Sequence, residues 1–459
     1  MSGFRKAMLL LALVSMQVYA AGASSPNIVF IFADDWGYGD LSSHGSTWIK
    51  TRNIDQMANE GIDFESFTVN SPVCSPSRTA VMTGQFPARN SVHQHFAGID
   101  SNQKRGMPDW LDPSVPMLPR LLQDAEYKTG HFGKWHLGKG AGAPAEDAYG
   151  YDEYATFNGS DNNKIKAEGL ASVDHAEDFI KRHKDQKFFV NLWLHETHLP
   201  HYPLNKYLEQ FKDLDEQKKV YASVVAEGDE GVGRILRLLK ELGIDQNTLV
   251  VFSSDNGPEF TRPKSAWYHN NNKKDRNNDM QGLGGYFSVG ETAGLKGQKR
   301  SLYAGGIRVP FIVRWPGVVP EGKTDAASVL TAVDLLPTFL EVAGVELPEG
   351  FNPDGQSVLS AFKAEGFERT KPIFWEWKGP TVQPFTWPHL GVRDGRWKLI
   401  TNAELQRTEL YDLEGDWAEA KDVSAEHPDV VQELSAKLDV WKKTLPVEPK
   451  KSTVSEKRK

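Results

Sequence analysis

Three apolar runs stand out along the chain, each ending abruptly in polar residues. "NIVFIF" stops at Ala33, Asp34 and Asp35, "FFVNLWL" at His195 to His198, and "TLVVFSS" at Asp255, Asn256 and Gly257. Their length and their β-branched and aromatic content predict strands buried on both faces. Between them, apolar residues recur at helical spacing. "VPMLPRLLQDAEY" opens one helix, "VYASVVAEGDEGVGRILRLLKELG" is a second that closes on Gly243, and "VDLLPTFLEVAG" is a third. Alternation of strand and helix implies an α/β fold with a large, mainly parallel sheet sandwiched by helices. After about residue 367 the pattern changes to short strands with turns ("KPIFWEWKG", "LGVRDGRWKLIT", "TELYDLEGD") and one helix, "PDVVQELSAKLDVWKKTL". The expected organisation is a large domain over 24–366, a smaller C-terminal α+β domain over 367–446, and a charged, apolar-poor tail over 447–459 without fixed structure. The segment 261–292, rich in Asn, Gly and Lys, is expected to be a long loop.

The first 23 residues carry Arg5 and Lys6 ahead of an apolar core and the small-residue stretch "YAAGA". That is the pattern of a cleaved signal peptide, too short for a comfortable membrane span, and it predicts export to the periplasm or beyond the cell. Loss of Arg5 and Lys6 takes the formal charge from −8 to −10. An acidic chain argues against nucleic-acid or anionic-membrane partners, while leaving room for a locally positive pocket. The 459 residues contain a single cysteine, Cys74, so no internal disulfide can form. A free thiol in an exported protein asks for an explanation.

Open α/β sheets bind ligands at the carboxyl ends of their strands, so three chemically equipped strand ends outline one site. Asp34, Asp35, Asp255 and Asn256 are hard oxygen donors without the His or Cys of a zinc site, which suits Ca2+ ahead of Mg2+. "HFGKWHLG" places Lys134 and His136 two apart, on one side if the segment is extended. "GLKGQKRSLYAGG" adds Lys296, Lys299 and Arg300. A metal with several cations around one pocket fits hydrolysis of a phosphate or sulfate ester, with Cys74, Ser75, Ser77 and Thr79 as candidate nucleophiles.

"CSPSRTAVMTG" resembles the signature of the type I sulfatases, C-x-P-S-R followed by Thr-Gly, and it does not stand alone. "PNIVFIFADDWGYGD", "YKTGHFGKWHLG", "VVFSSDNG" and "LKGQKRSLYAGGIRVPFIVRWPG" are similar to further blocks of that family, over roughly residues 26–446. The resemblance implies an alkaline phosphatase-like fold and a cysteine oxidised before folding, by a dedicated formylglycine-generating system, to Cα-formylglycine. Its hydrate would offer one hydroxyl to attack sulfur and a second to expel sulfate. Carried over, Asp34, Asp35, Asp255 and Asn256 with modified Cys74 would bind Ca2+. Arg78 and His136 would hold and activate the diol, and Lys134, His198 and Lys299 would contact the sulfate. Where the family block often reads Glu-Gly-Gly, this chain has Ala304, Gly305 and Gly306. The resemblance to N-acetylgalactosamine-6-sulfatase-like members implies a sulfated mono-, oligo- or polysaccharide substrate. His93, His95 and His201 are candidates for touching its sugar, and Trp375, Trp377 and Trp387 for stacking on it, with core packing as the other reading. The competing functions are a phosphonate or phosphate monoester hydrolase on the same scaffold and a silent binder of sulfated glycans.

Overall fold

The computed structural model describes residues 25–158, 170–259, 261–264, 282–379, 388–402 and 406–458. The expected signal segment 1–23, Trp387 and most of 261–292 lie outside the described residues. Among the described residues, fourteen strands form three sheets. The first ten are β1 (Asn27–Ala33), β2 (Ile62–Phe64), β3 (Phe67–Thr68), β4 (Lys128–Lys134), β5 (Glu153–Phe157), β6 (Phe188–Trp193), β7 (Thr248–Ser254), β8 (Phe311–Arg314), β9 (Lys323–Asp325) and β10 (Leu330–Thr331). The last four are β11 (Ile373–Glu376), β12 (Leu390–Asp394), β13 (Trp397–Asn402) and β14 (Arg407–Asp412).

Eight strands make the main sheet in the order β5-β4-β6-β1-β7-β8-β2-β9, with β3 and β10 pairing separately. From β5 through β7 every pairing is parallel, and β8 runs against both of its neighbours. The three apolar runs are thus the three central strands, with β1 between β6 and β7. All their residues are buried, as strands covered on both faces should be.

Alternate side chains of these strands serve opposite faces. Ile28, Phe30 and Phe32 join Phe189, Trp193, Leu249 and Val251 under the helices Cys74–Thr83, Leu118–Asp124 and Leu335–Ala343. Val29, Ile31 and Ala33 join Val190, Leu192, Val250 and Phe252 under Arg52–Asn59, Ala171–His183 and Glu216–Glu241. Each large apolar side chain so enclosed contributes about 1.5–3 kcal/mol. The predicted helix stop holds: Gly243 (φ +70°) follows the end of Glu216–Glu241, and Gly344 (φ +70°) likewise caps Leu335–Ala343.

Strands β11 to β14 form an antiparallel sheet with the helix Pro428–Lys442 packed on it. Trp375, Val392, Leu399, Leu410, Leu434 and Trp441 belong to the same apolar cluster as one face of the main sheet, so the second sheet shares a core with the first. Trp375 and Trp377 are buried in it, on the packing side of the two readings. No helix among the described residues is long and apolar enough to cross a membrane.

The tail corrects the expectation of a disordered end. Residues 451–453 and 456–458 form short 3-10 turns. Lys450 Nζ lies 2.7 Å from Asp112, Ser455 N donates to Asp109 Oδ2 at 2.8 Å, and Arg458 Nη1 donates to Met107 O at 2.9 Å. Composition predicted disorder because the segment is poor in apolar residues. Buried acceptors on the main domain, Asp109 above all, hold it by charge-assisted hydrogen bonds instead.

Candidate active site

The sheet order brings the carboxyl ends of β4, β6, β1 and β7 side by side. Backbone hydrogen bonds lace the chain just past them: Asp255 N to Ala33 O at 3.0 Å, Asp34 N to Glu196 O at 3.2 Å, and Thr197 N to Asp34 O at 2.6 Å. Asp35 sits at φ +67°, a left-handed conformation that Asp tolerates better than most residues. Thr197 Oγ1 donates to its carbonyl at 3.1 Å.

Cys74 opens a ten-residue helix that is buried along its whole length. Pro76 is harmless in that first turn, where its missing N–H has no helical partner, and Gly84 (φ +62°) closes the helix in the left-handed region. Cys74 Sγ lies 3.3 Å from Lys134 Nζ, which also pairs with Asp34 Oδ2. Burial pushes the Cys74 thiol up to about 11. One helical turn on, Arg78 reaches Asp255 Oδ2 through Nη2 at 2.6 Å and Nε at 3.1 Å, and Lys134 O through Nη1 at 3.2 Å. Its guanidinium also lies over the Trp193 ring at 4.8 Å. Burial opposes the charge on Arg78, yet Asp255 and Asp34 outweigh it and raise its pKa further.

On the other side of the acids, Lys299 Nζ lies 2.6 Å from Asp35 Oδ2, and Asn256 Nδ2 donates to Asp35 Oδ1 at 2.7 Å. His198 Nε2 is 3.8 Å from Asp35 Oδ2. The loop bearing Lys299 is pressed against the exit of β7: Gly257 N donates to Gly306 O at 2.9 Å, and a Cβ on Gly257 would stand 1.9 Å from Gly305 O. Glycine is required at that approach. At the position where the family block often has Glu, Ala304 N donates to Glu419 Oε2 at 2.8 Å.

Ligand atoms of Asp34, Asp35, Cys74 and His198 all lie within 4.8 Å of one another. Asp34 Oδ1 and Asn256 Oδ1 are buried without a hydrogen-bond partner. Burial raises the pKa of both Asp34 and Asp35 against the pull of the lysines. Orphaned hard oxygens around close carboxylates fit a divalent cation of the Ca2+ or Mg2+ type. Asp255 is held differently: Oδ2 faces Arg78 and Oδ1 accepts from Asp35 N at 3.2 Å.

The remaining sequence candidates separate. Lys134 and His136 do not share one extended face, since β4 ends at Lys134 and His136 has φ +53°. Lys134 turns to Asp34, whereas His136 Nε2 meets Phe96 O at 3.0 Å and its Nδ1 is buried with no partner. Burial, with Lys134 next, holds the His136 imidazole well below its usual pKa, and burial likewise lowers His95 to about 3. The His95 and His136 rings lie 6.1 Å apart. Their loop is tied to the helix that Cys74 opens by Phe96 N donating to Ser75 Oγ at 3.0 Å. His93 Nδ1 lies 2.7 Å from Glu376 Oε2 of β11. His201 bonds elsewhere, to Leu283 through its backbone and to Ser288 Oγ through Nε2 at 3.1 Å. It secures the 283–288 segment.

Glu259 escaped the sequence reading. It is buried beside Lys299 (3.8 Å) and holds Arg300 through both oxygens, Oε2 at 2.7 Å. Its only signal was a lone acid four residues past Asp255. Burial alone would raise its carboxyl, but Lys299 and Arg300 hold it below its usual value of 4.5. A depressed folded-state pKa contributes stability above about pH 4.5 that is lost as pH falls. Glu259→Gln should therefore lower the melting temperature at pH 7 and flatten its fall between pH 5 and 3. Calorimetry across that range checks both.

Residues 26–345 match the family model described as Sulfatase, and 296–444 match that of the N-sulphoglucosamine sulphohydrolase C-terminal region. The chain is 32% identical over 419 residues to N-acetylgalactosamine-6-sulfatase of Canis lupus familiaris, covering 82% of this chain and 73% of that protein. It is 26% identical over 511 residues to N-acetylgalactosamine-6-O-sulfatase of Bacteroides thetaiotaomicron, covering 91% and 93%. Among solved structures it is similar to Ps i-CgsB in complex with k-i-k-neocarrahexaose, with TM-score 0.75 and 26% identity over 94% of this chain and 96% of that one.

Proposed function

The chain belongs to the sulfatase family, whose members hydrolyse sulfate esters, and from that premise we propose that its substrate is a sulfated carbohydrate and that Cys74 works as Cα-formylglycine beside a bound Ca2+. The observation that carries this reading is the position of Cys74: the first residue of a buried helix, with Sγ 3.3 Å from Lys134 Nζ and within 4.8 Å of ligand atoms on Asp34 and Asp35. Hydrated formylglycine supplies one hydroxyl to attack sulfur and a second whose deprotonation releases sulfate. Asp34, Asp35, Asp255 and Asn256 would hold the Ca2+, which supplies positive charge to the sulfate oxygens.

The protein's own groups divide the remaining work. Lys134 and Lys299 place two ammonium groups on the acids, where they neutralise a sulfate arriving between them. Arg78 is locked by Asp255 and Trp193, so its charge needs no reorganisation when the reaction begins. His136 points Nε2 at a carbonyl oxygen, which puts the ring proton on Nε2 and leaves Nδ1 as the proton acceptor. With its pKa held down, it stays neutral and ready to take a proton from position 74. His198 has Nδ1 2.5 Å from Leu199 O, so Nε2 is the atom that, once the ring is protonated, would deliver a proton to the departing sugar oxygen. His93 and His95 stand on the loop tied to the Cys74 helix, where a sugar subsite would adjoin the centre.

The relatives' names support the carbohydrate, and residues 1–23 support export. The test is release of sulfate, by ion chromatography, from 6-sulfated N-acetylgalactosamine, alongside paired aryl sulfate and aryl phosphate esters. We expect the sulfate ester to be favoured by about 100-fold or more in kcat/KM, the margin a site shaped for one group imposes. Preference for phosphate would overturn the assignment.

A further inference from the structure

A second, separate cavity of about 770 Å3 opens between the C-terminal sheet and the edge of the main one. None of the residues assigned above to the Cys74 centre lines it. Its wall carries four cations, Arg308, Arg393, Arg396 and Lys398, against three carboxylates, Glu65, Glu414 and Glu419. Two cations are matched: Lys398 Nζ lies 2.5 Å from Glu419, and Arg396 Nη1 lies 2.6 Å from Glu414. Among the described residues, Arg308 and Arg393 have no carboxylate oxygen within 4.0 Å.

Arg393 is 8% exposed and bonds only neutral acceptors, Ser66 Oγ at 3.1 Å and Gly395 O at 3.2 Å. Arg308 lies over the rings of Tyr38 and Trp417, at 5.3 and 4.9 Å from their centroids, and its Nε is buried with no hydrogen-bond partner. Burial first, then repulsion from Arg308 and Arg369, brings the Arg393 guanidinium down to about 10. A buried guanidinium and a half-buried one with no carboxylate in ion-pair reach are costly to hold charged, and an anion between them lowers that cost. Both rings contact the Arg308 guanidinium, and planar guanidinium forks select carboxylate and sulfate oxygens. Beside them Trp417 is 43% exposed, and an indole at a cavity rim offers an apolar face to the C–H side of a sugar ring.

We propose that this cavity is a second glycan-binding site, taking a sulfate or carboxylate group carried on a sugar between Arg308 and Arg393, with the sugar ring against Trp417. The choice of a sugar rests on the sulfated-carbohydrate reading above, whereas the demand for an oxyanion does not. Such a site would hold a charged chain on the enzyme independently of turnover.

The test is calorimetry on the full chain carrying Cys74→Ala, so that nothing is turned over. The probes are a hexasaccharide of 6-sulfated N-acetylgalactosamine alternating with glucuronate, its desulfated counterpart, and sodium sulfate. The hexasaccharide should bind in two classes. Arg308→Gln with Arg393→Gln should weaken one class at least tenfold and leave the other unchanged, and Trp417→Ala, a change at the rim, should weaken the same class. Loss of that class on desulfation assigns the group as sulfate, and retention assigns it as carboxylate. An isotherm unaltered by all three substitutions overturns the site. Sodium sulfate binding as tightly as the hexasaccharide, with Trp417→Ala silent, overturns the sugar. In the Cys74-intact chain, the arginine variants should keep their turnover of a small aryl sulfate, which shows that they fold. Failure of the sulfated-carbohydrate reading appears separately, as no sulfate released from any sugar while calorimetry still reports the second class.

Discussion

Cys74→Ala should abolish sulfate release while leaving the protein folded. The expected loss in kcat is about 10^4-fold or more, the scale on which removal of a covalent nucleophile is felt. The fold should survive because the helix Cys74–Thr83 is held at many other points. Ser75 Oγ accepts from Phe96 N, Ser77 Oγ donates to Ser71 O at 2.9 Å, and Arg78 is anchored on Asp255. Cys74→Ser is the more informative partner. A serine hydroxyl can attack sulfur but has no second hydroxyl for release, so this variant should stall after one turnover and retain label from sulfated substrate. Mass spectrometry of the tryptic peptide Asn53 to Arg78 from the wild-type chain is the direct check. An aldehyde or its hydrate at position 74 is expected, and an intact thiol in fully active enzyme would overturn the mechanism.

Asp35→Asn should have the next largest effect, through the metal. Asp35 sits at φ +67°, a conformation Asn also tolerates, so the substitution removes charge at little backbone cost. Its two oxygens face Asn256 Nδ2 and Lys299 Nζ. An amide there loses the ionic partner of Lys299, which keeps Glu259 at 3.8 Å. The expected outcome is a folded protein whose metal content, by inductively coupled plasma mass spectrometry, falls from one equivalent to a small fraction. The accompanying loss in kcat/KM should be about 10^2- to 10^3-fold, comparable with removal of one electrostatic stabiliser. Added Ca2+ at high concentration should restore part of it. Retention of a full equivalent of metal would show that Asp35 is not a ligand.

Local pattern carried much of this molecule. The runs that became β1, β6 and β7 were legible because a strand covered on both faces must be apolar throughout. The helices Glu216–Glu241 and Leu335–Ala343 were legible from helical spacing with a glycine to end them. Cys74, Asp34, Asp35, Asp255 and Asn256 were legible as candidates, the acids because three equipped strand ends outline one site and the cysteine because "CSPSRTAVMTG" resembles a known family signature.

What local pattern could not reach were contacts between residues distant in sequence. Lys134 meets Asp34 across 100 positions and Arg78 meets Asp255 across 177, and the strand order β4-β6-β1-β7 alone makes these pairs adjacent. An extended reading set Lys134 and His136 side by side, but a left-handed backbone at His136 turns them to different partners. Glu259 had no motif, only a place beside Lys299 and Arg300 that packing supplied. The tail's charges meant disorder until buried Asp109 gave them an acceptor. Arg308 and Arg393 are 85 residues apart and unremarked in the chain; only the meeting of two sheets leaves them facing one cavity with no carboxylate oxygen within 4.0 Å of either among the described residues. The sequence by itself determined which elements form and which side chains can do chemistry, because propensity, periodicity and residue type are properties of short stretches. The tertiary structure decided which of those side chains share a charge, a proton or a cavity, because burial and Coulomb interactions depend on distance in space.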